Sequence, residues 1–140
     1  LKHSNLSFIR KNIFYLDQDI NLPHNIVEDV VKDILSYKSN RHTEYSREYL
    51  LELLKDFRLE TEILNKNIKE LSGGERQRLG LIIGIILDRD IWLLDEPTSA
   101  LDRELKEYVL NLLNKKNITL LVISHDNCWE GLTKLTWEAL

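Results

Sequence analysis

The run Leu71 to Arg78, LSGGERQR, followed by Ile91 to Asp102, IWLLDEPTSALD, constrains the fold of this chain more than any other feature. In the first run Ser72 and Glu75 have the spacing of a capping box, in which the serine hydroxyl accepts from the glutamate N–H and the carboxylate reaches back. Gly73 and Gly74 leave backbone N–H groups uncovered at the positive end of a helix that the pattern carries to about Leu87. Such a terminus attracts an anion. In the second run Ile91 to Leu94 is apolar without polar alternation, which predicts a strand buried on both faces of a parallel sheet. Asp95 then falls at the carboxyl end of that strand, where open α/β sheets place their ligands. A carboxylate there can hold Mg²⁺ directly or through water, because Mg²⁺ prefers hard oxygen ligands and keeps part of its hydration shell. Glu96, one residue on, points elsewhere and can take a proton from an attacking water.

Two further apolar runs read as strands, Ile13 to Leu16 and Ile118 to Ile123, the latter again predicted to be buried on both faces. Helical segments separate the strands. Ile26, Val27, Val30, Val31, Ile34 and Leu35 build one apolar face, as do Tyr49, Leu50, Leu53, Leu54 and Phe57 in the next segment, and Leu105, Val109, Leu110, Leu112 and Leu113 after Asp102. Between the first two lies the polar run SNRHTEYS, expected to be the most flexible point. The order predicts an α/β sheet interrupted by a small helical subdomain. Trp92, inside the second strand, is expected in the core, and His3, His24 and His42 are expected to have solvent or local structural roles. Ser124-His125-Asp126 is not a hydrolase triad, because three adjacent residues cannot adopt that geometry.

In this order and spacing, the two motifs resemble the signature motif, Walker B strand and D-loop of the ATP-binding-cassette (ABC) ATPases. The resemblance extends from the segment before Gln18 to the strand before His125. It implies a P-loop NTPase-type parallel sheet with an inserted ABC helical subdomain, and it orders the strands so that the Q-loop, Walker B and switch strands are neighbours. It divides the chain into residues 1–18, the Q-loop strand of the catalytic core; 19–87, the helical subdomain with the signature motif; and 88–140, the core with Walker B, D-loop and switch histidine.

The resemblance also assigns roles. Ser72, Gly73 and Gly74 contact the γ-phosphate of ATP held by the other subunit of a head-to-tail dimer, and so act in trans. Asp95 holds Mg²⁺; Glu96 is the general base; His125 approaches the γ-phosphate and orients the attacking water. Gln18 looks like the Q-loop glutamine that reaches Mg²⁺ and water, and Asp102 like the D-loop aspartate at the dimer interface. Within the family, the stretches around the signature and after Walker B are similar to ATPase subunits of the YbbL/FetA type, from a bacterial metal-export system. One departure is Ile83-Gly84-Ile85-Ile86, where many cassettes carry Ala-Arg-Ala.

The same family carries a Walker A loop, G-x-x-x-x-G-K-[ST], whose backbone N–H groups cradle phosphates. The five glycines here are Gly73, Gly74, Gly80, Gly84 and Gly131, and none is followed by Lys. The expectation is the C-terminal part of a cassette, making the sheet incomplete and the 140 residues inactive toward ATP by themselves. Partners implied are a second ATPase subunit and a membrane permease docked near Gln18 and the helical insert, which would hold the protein at the cytoplasmic face of the membrane.

Composition bounds the alternatives. A formal net charge of −4 argues against a nucleic-acid binder, since such proteins present a basic face. The longest apolar stretches, Leu81 to Leu87 and Ile118 to Ile123, fall far short of the roughly 20 residues of a membrane span, and Leu1 to Lys11 has no signal-peptide core. Cys128 is the only cysteine, so no intrachain disulfide forms and a reducing compartment fits. A non-transport ABC protein of translation or DNA repair is one alternative; repair types carry a very long coiled coil between Q-loop and signature, where this chain has a compact interval. A non-enzymatic ABC-derived module is the other.

Overall fold

Three parallel strands organise the molecule, with the order β1 (Ile13–Leu16), β2 (Ile91–Asp95), β3 (Thr119–Ile123). In the computed structural model, which describes residues 3–40 and 42–131, β2 is central. Phe14 pairs with Trp92, Leu16 with Leu94, Leu94 with Val122 and Asp95 with Ile123. This is the neighbour order that the family resemblance implies. Parallel neighbours need long crossovers, and the described chain supplies α2 (Val27–Ser36), α3 (Arg47–Asp56) and α4 (Gly73–Leu87) between β1 and β2, and α5 (Arg103–Asn114) between β2 and β3. A further helix, α1 (His3–Asn12), precedes β1.

Because strand residues alternate faces, the register sorts side chains cleanly. Phe14, Leu16, Trp92 and Leu94 lie on one face and are buried, with Phe14 set edge-on to Trp92 at a centroid distance of 4.7 Å. The opposite face carries Tyr15, Leu121 and Ile123, which are 58%, 54% and 66% exposed. The expectation of burial on both faces is therefore corrected for β3, and only half met for β2, where Ile91 and Leu93 are partly exposed. The physical reason is that α4 covers the Phe14/Leu16 face while the described residues leave the other open.

The helical segment between β1 and α4 shares one apolar core with the sheet. Val27, Val30 and Val31 of α2 and Leu50, Leu53 and Leu54 of α3 are buried with Phe57, Ile63, Leu64 and Ile68. Ser46 caps α3 by accepting from the Tyr49 N–H, and a single bridge between Ile26 and Asn67 ties the start of α2 to the segment before the signature. The polar run after α2 is less free than its composition predicts. Asn40 is buried, donates to the Ile34 carbonyl at 2.5 Å and accepts from the Arg89 guanidinium. Arg89 is itself buried, and desolvation lowers its pKa. Its carbonyl accepts from Trp92 Nε1 at 2.9 Å, and His42 Nε2 lies 3.2 Å from Arg89 Nη1, a local structural role.

α4 runs over β1 at two glycines. A Cβ on Gly80 would stand 2.7 Å from Leu16 Cδ1, and one on Gly84 would stand 2.4 Å from Phe14 Cε1. The leucine methyl is the far end of a flexible side chain, but the Phe14 ring is wedged against the buried Trp92. This explains why glycine stands in the stretch where the family pattern has alanine and arginine. Gly84→Ala gains about 1 kcal/mol of helix propensity and loses about 1–3 kcal/mol to overpacking. The expected outcome is net destabilisation in urea unfolding, and a Gly84→Ala/Phe14→Leu double variant that is more stable than the two single losses add up to.

Candidate functional site

Every parallel strand ends on the same side of the sheet, and there the sequence-predicted residues gather. Gln18 follows β1, Asp95 ends β2, Glu96 comes next, and Ser124 and His125 follow β3. Glu96 continues the ladder, its N–H donating to the Ile123 carbonyl at 2.8 Å. It does so at a φ of +46°, in the left-handed region that a residue with a Cβ enters at a cost of roughly 1–2 kcal/mol. Its carboxylate is largely buried and accepts from the Ser124 hydroxyl at 3.1 Å and from the His125 N–H at 2.9 Å. The His125 imidazole is fully exposed, with Nε2 3.9 Å from Glu96 Oε1. A carboxylate aimed by two donors beside an open imidazole suits a group that takes a proton from water.

Behind His125 lies a polar cluster that sequence reasoning passed over. Thr98 is wholly buried; its hydroxyl donates to Asp126 Oδ2 at 3.0 Å and accepts from Trp129 Nε1 at 3.3 Å. Lys106 of α5 meets the same Asp126 oxygen at 2.5 Å, and that ammonium foremost holds the Asp126 carboxyl below its usual range. The Asp126 N–H donates to Ser124 Oγ. The segment carrying His125 is thus fastened to the turn after β2 and to α5. Each of these residues looks like ordinary turn or helix surface when read locally.

The start of α4 has the predicted capping box. Ser72 Oγ accepts from the Glu75 N–H at 3.2 Å, and Glu75 Oε2 accepts from the Ser72 N–H at 2.7 Å and from its hydroxyl at 2.8 Å. These donors, the backbone one first, hold the Glu75 carboxyl below its usual range. A Cβ on Gly73 would meet nothing within 4 Å, so the helix N-terminus opens to its surroundings, while Gly74 abuts Ala100 at ordinary contact distance. Ser72, Gly73 and Gly74 make no hydrogen bond to the Glu96 cluster among the described residues. Asp102 caps α5, accepting from the Leu105 N–H at 2.9 Å, and pairs with Arg58 Nη1 at 2.8 Å. The Leu105 N–H and then Arg58 lower its pKa.

Gln18 is exposed and makes no hydrogen bond among the described residues, and Asp95 is half-buried at the strand end. Partial desolvation first, and then the charges of Asp17 and Asp95, raise the pKa of the Tyr15 phenol. No group of three or more His, Cys, Asp or Glu side chains converges among the described residues. The oxygen donors of Asp95 and Gln18 suit Mg²⁺, which typically takes one or two protein ligands and fills its shell with water and phosphate. Beside Gln18 a groove of about 250 Å³ lies between β1, the following loop and α4, lined by Leu16, Asp19, Ile20, Leu22, Gly80 and Ile83 among others. No helix among the described residues is long and apolar enough to cross a membrane.

Comparison with known proteins agrees with this geometry. The chain is 36% identical over 126 residues to the molybdate/tungstate import ATP-binding protein WtpC of Methanocaldococcus jannaschii, covering 88% of this chain and 41% of WtpC. It is 44% identical over 80 residues to the "probable iron export ATP-binding protein FetA" of Escherichia coli, covering 54% of this chain and 36% of FetA. The dimeric post-hydrolysis structure of the ATP-binding cassette MJ0796 bound to ADP and Pi superposes with a TM-score of 0.71 at 30% identity, over 90% of this chain and 58% of that one. The chain therefore spans about half the length of the relatives it matches. The family model described as ABC transporter matches residues 1–99, and with the strand order, the capped signature helix and the Glu96 cluster in place, the chain belongs to the ABC transporter family of ATP-binding cassettes.

Proposed function

We propose that this chain is the signature-bearing part of an ATP-hydrolysing subunit that pairs head-to-tail with a second ATPase subunit and drives a membrane permease from the cytoplasmic side. The observation that carries the reading is the Glu96 carboxylate, aimed by the Ser124 hydroxyl and the His125 N–H at the carboxyl ends of the strands. Glu96 accepts the proton of the attacking water, and His125, exposed beside it, orients that water against the γ-phosphate. Asp95 and Gln18 would hold Mg²⁺, which supplies charge neutralisation on the phosphate oxygens. Ser72 and the open N–H groups at Gly73 and Gly74 face the nucleotide of the partner subunit, where a helix terminus contributes roughly 0.3–2 kcal/mol toward an anion. Asp102 faces the same interface. In this reading the phosphate loop that the 140 residues do not contain is supplied by another segment of the cassette.

The groove beside Gln18 is where the permease docks, and its apolar lining between β1 and α4 suits a short helix from that partner. Within the family the FetA type is the finer assignment, supported by 44% identity over 80 residues to that probable iron export ATP-binding protein. Nucleic acid is not a partner in this reading, consistent with a net charge of −4.

Two experiments test it in a cassette made by joining a phosphate-loop segment ahead of this chain. Glu96→Gln removes a proton acceptor and keeps the shape, so turnover should fall by about 10²–10⁴ while ATP binding persists and the dimer is stabilised. Turnover near that of the parent would remove Glu96 from the role of base. Ser72→Arg should abolish hydrolysis in the partner's site while sparing nucleotide binding in its own subunit. Mixed with a phosphate-loop variant it should recover one intact composite site; proven heterodimers with no more activity than either parent would refute the head-to-tail arrangement.

A further inference from the structure

Gln77 lies on α4 about one turn beyond the Ser72 cap and is only 4% exposed. A buried carboxamide has to place both its donors and its acceptor, and here all of them go to the turn that follows β2. Nε2 donates to the Glu96 carbonyl at 2.6 Å and to Ser99 Oγ at 3.1 Å, and Oε1 accepts from the Ala100 N–H at 3.0 Å. The orientation of the amide is fixed by its partners, because a backbone carbonyl can only accept and a backbone N–H can only donate. A carboxamide offers donors and an acceptor at once and does not ionise.

The turn it grips is the one on which the site depends. Glu96 is held at its N–H by Ile123, at its carboxylate by Ser124 and His125, and at its carbonyl by Gln77 and the Ser99 hydroxyl. Its left-handed backbone is a conformation that relaxes when such restraints are removed, and relaxation would rotate the carboxylate off the strand end. Gln77 is the only one of these restraints that comes from the signature helix, and its carboxamide oxygen meets the Ala100 N–H where Gly74 of the signature packs.

We propose that Gln77 is a positioning residue for hydrolysis, tying the signature helix to the backbone of Glu96 and to the Ser99–Ala100 turn, so that the base and the helix start keep one fixed geometry. This rests on the reading of Glu96 as the base. The test uses Gln77→Met, which keeps the volume and removes the polar atoms, and Gln77→Glu, which donates to the Glu96 carbonyl only while protonated. Each is made in the 140-residue chain, for thermal unfolding and amide exchange, and in the cassette with the phosphate loop joined, for kcat and KM.

Gln77→Met is expected to remain folded, to lose exchange protection at Ala100 and to lower kcat by about 10–10² with KM for ATP little changed, the cost of a small misplacement of a reacting group. For Gln77→Glu, the ratio of its kcat to that of the parent should fall as pH rises and the buried carboxyl ionises. If Gln77→Met does not fold, that ratio decides. A folded Gln77→Met with the kcat of the parent, or a Gln77→Glu ratio that is flat with pH, overturns the inference while an inactive Glu96→Gln leaves the reading of Glu96 standing. A fully active Glu96→Gln overturns that reading and the inference with it.

Discussion

The hydrogen bond from the Glu96 N–H to the Ile123 carbonyl carries the site, because it is the rung that closes the Asp95–Ile123 pair. Immediately after it the chain turns at Glu96 with a left-handed φ of +46°, and the carboxylate reaches the segment that follows β3. A backbone strain of roughly 1–2 kcal/mol is then offset by hydrogen bonds to a carboxylate, each worth about 1.5–3 kcal/mol net when a charged group is involved. The strained turn persists because its neighbours over-determine it, and those neighbours come from β3, from the segment carrying His125, and from α4.

This explains which parts could be read from the sequence. The strands at Ile13–Leu16 and Ile91–Asp95 and the helices over Val27–Ser36, Arg47–Asp56 and Arg103–Asn114 follow from local apolar patterning, and the Ser72/Glu75 box from spacing alone. α1 left no such trace, since Phe8 and Ile9 stand exposed rather than on a buried stripe. The double burial expected of β3 failed because an apolar run reports what a strand can tolerate, and what covers each face depends on the whole set of packed elements. The anchoring of Asn40 by Arg89, of Asp126 by Lys106 and of the Glu96 turn by Gln77 was equally invisible. Each joins residues far apart in sequence through one hydrogen-bonding group, and a single long-range bond produces no periodicity.

The helical insert is joined to the sheet by links of unequal strength, and the difference sets where the two can part. Arg58, at a φ of +53°, pairs with Asp102 and Glu104 across the surface, with all three side chains about half exposed or more. Exposed pairs of this kind are worth about 0–1 kcal/mol and are screened by salt. The Arg89 link differs, because it is buried and fully engaged with Asn40, and losing one partner there would strand a charge away from water at a cost of several kcal/mol. α4 is a third and continuous connection, capped at the signature and pressed onto Phe14 and Leu16 at its two glycines. The Arg58 pairs are therefore the weakest of these links, and they lie on the same side as the Phe57–Tyr108 ring contact and the Tyr108–Asp56 hydrogen bond, which also join α3 to α5. That places the weak link beside Asp102, at the end of the loop that Gln77 holds from its other side.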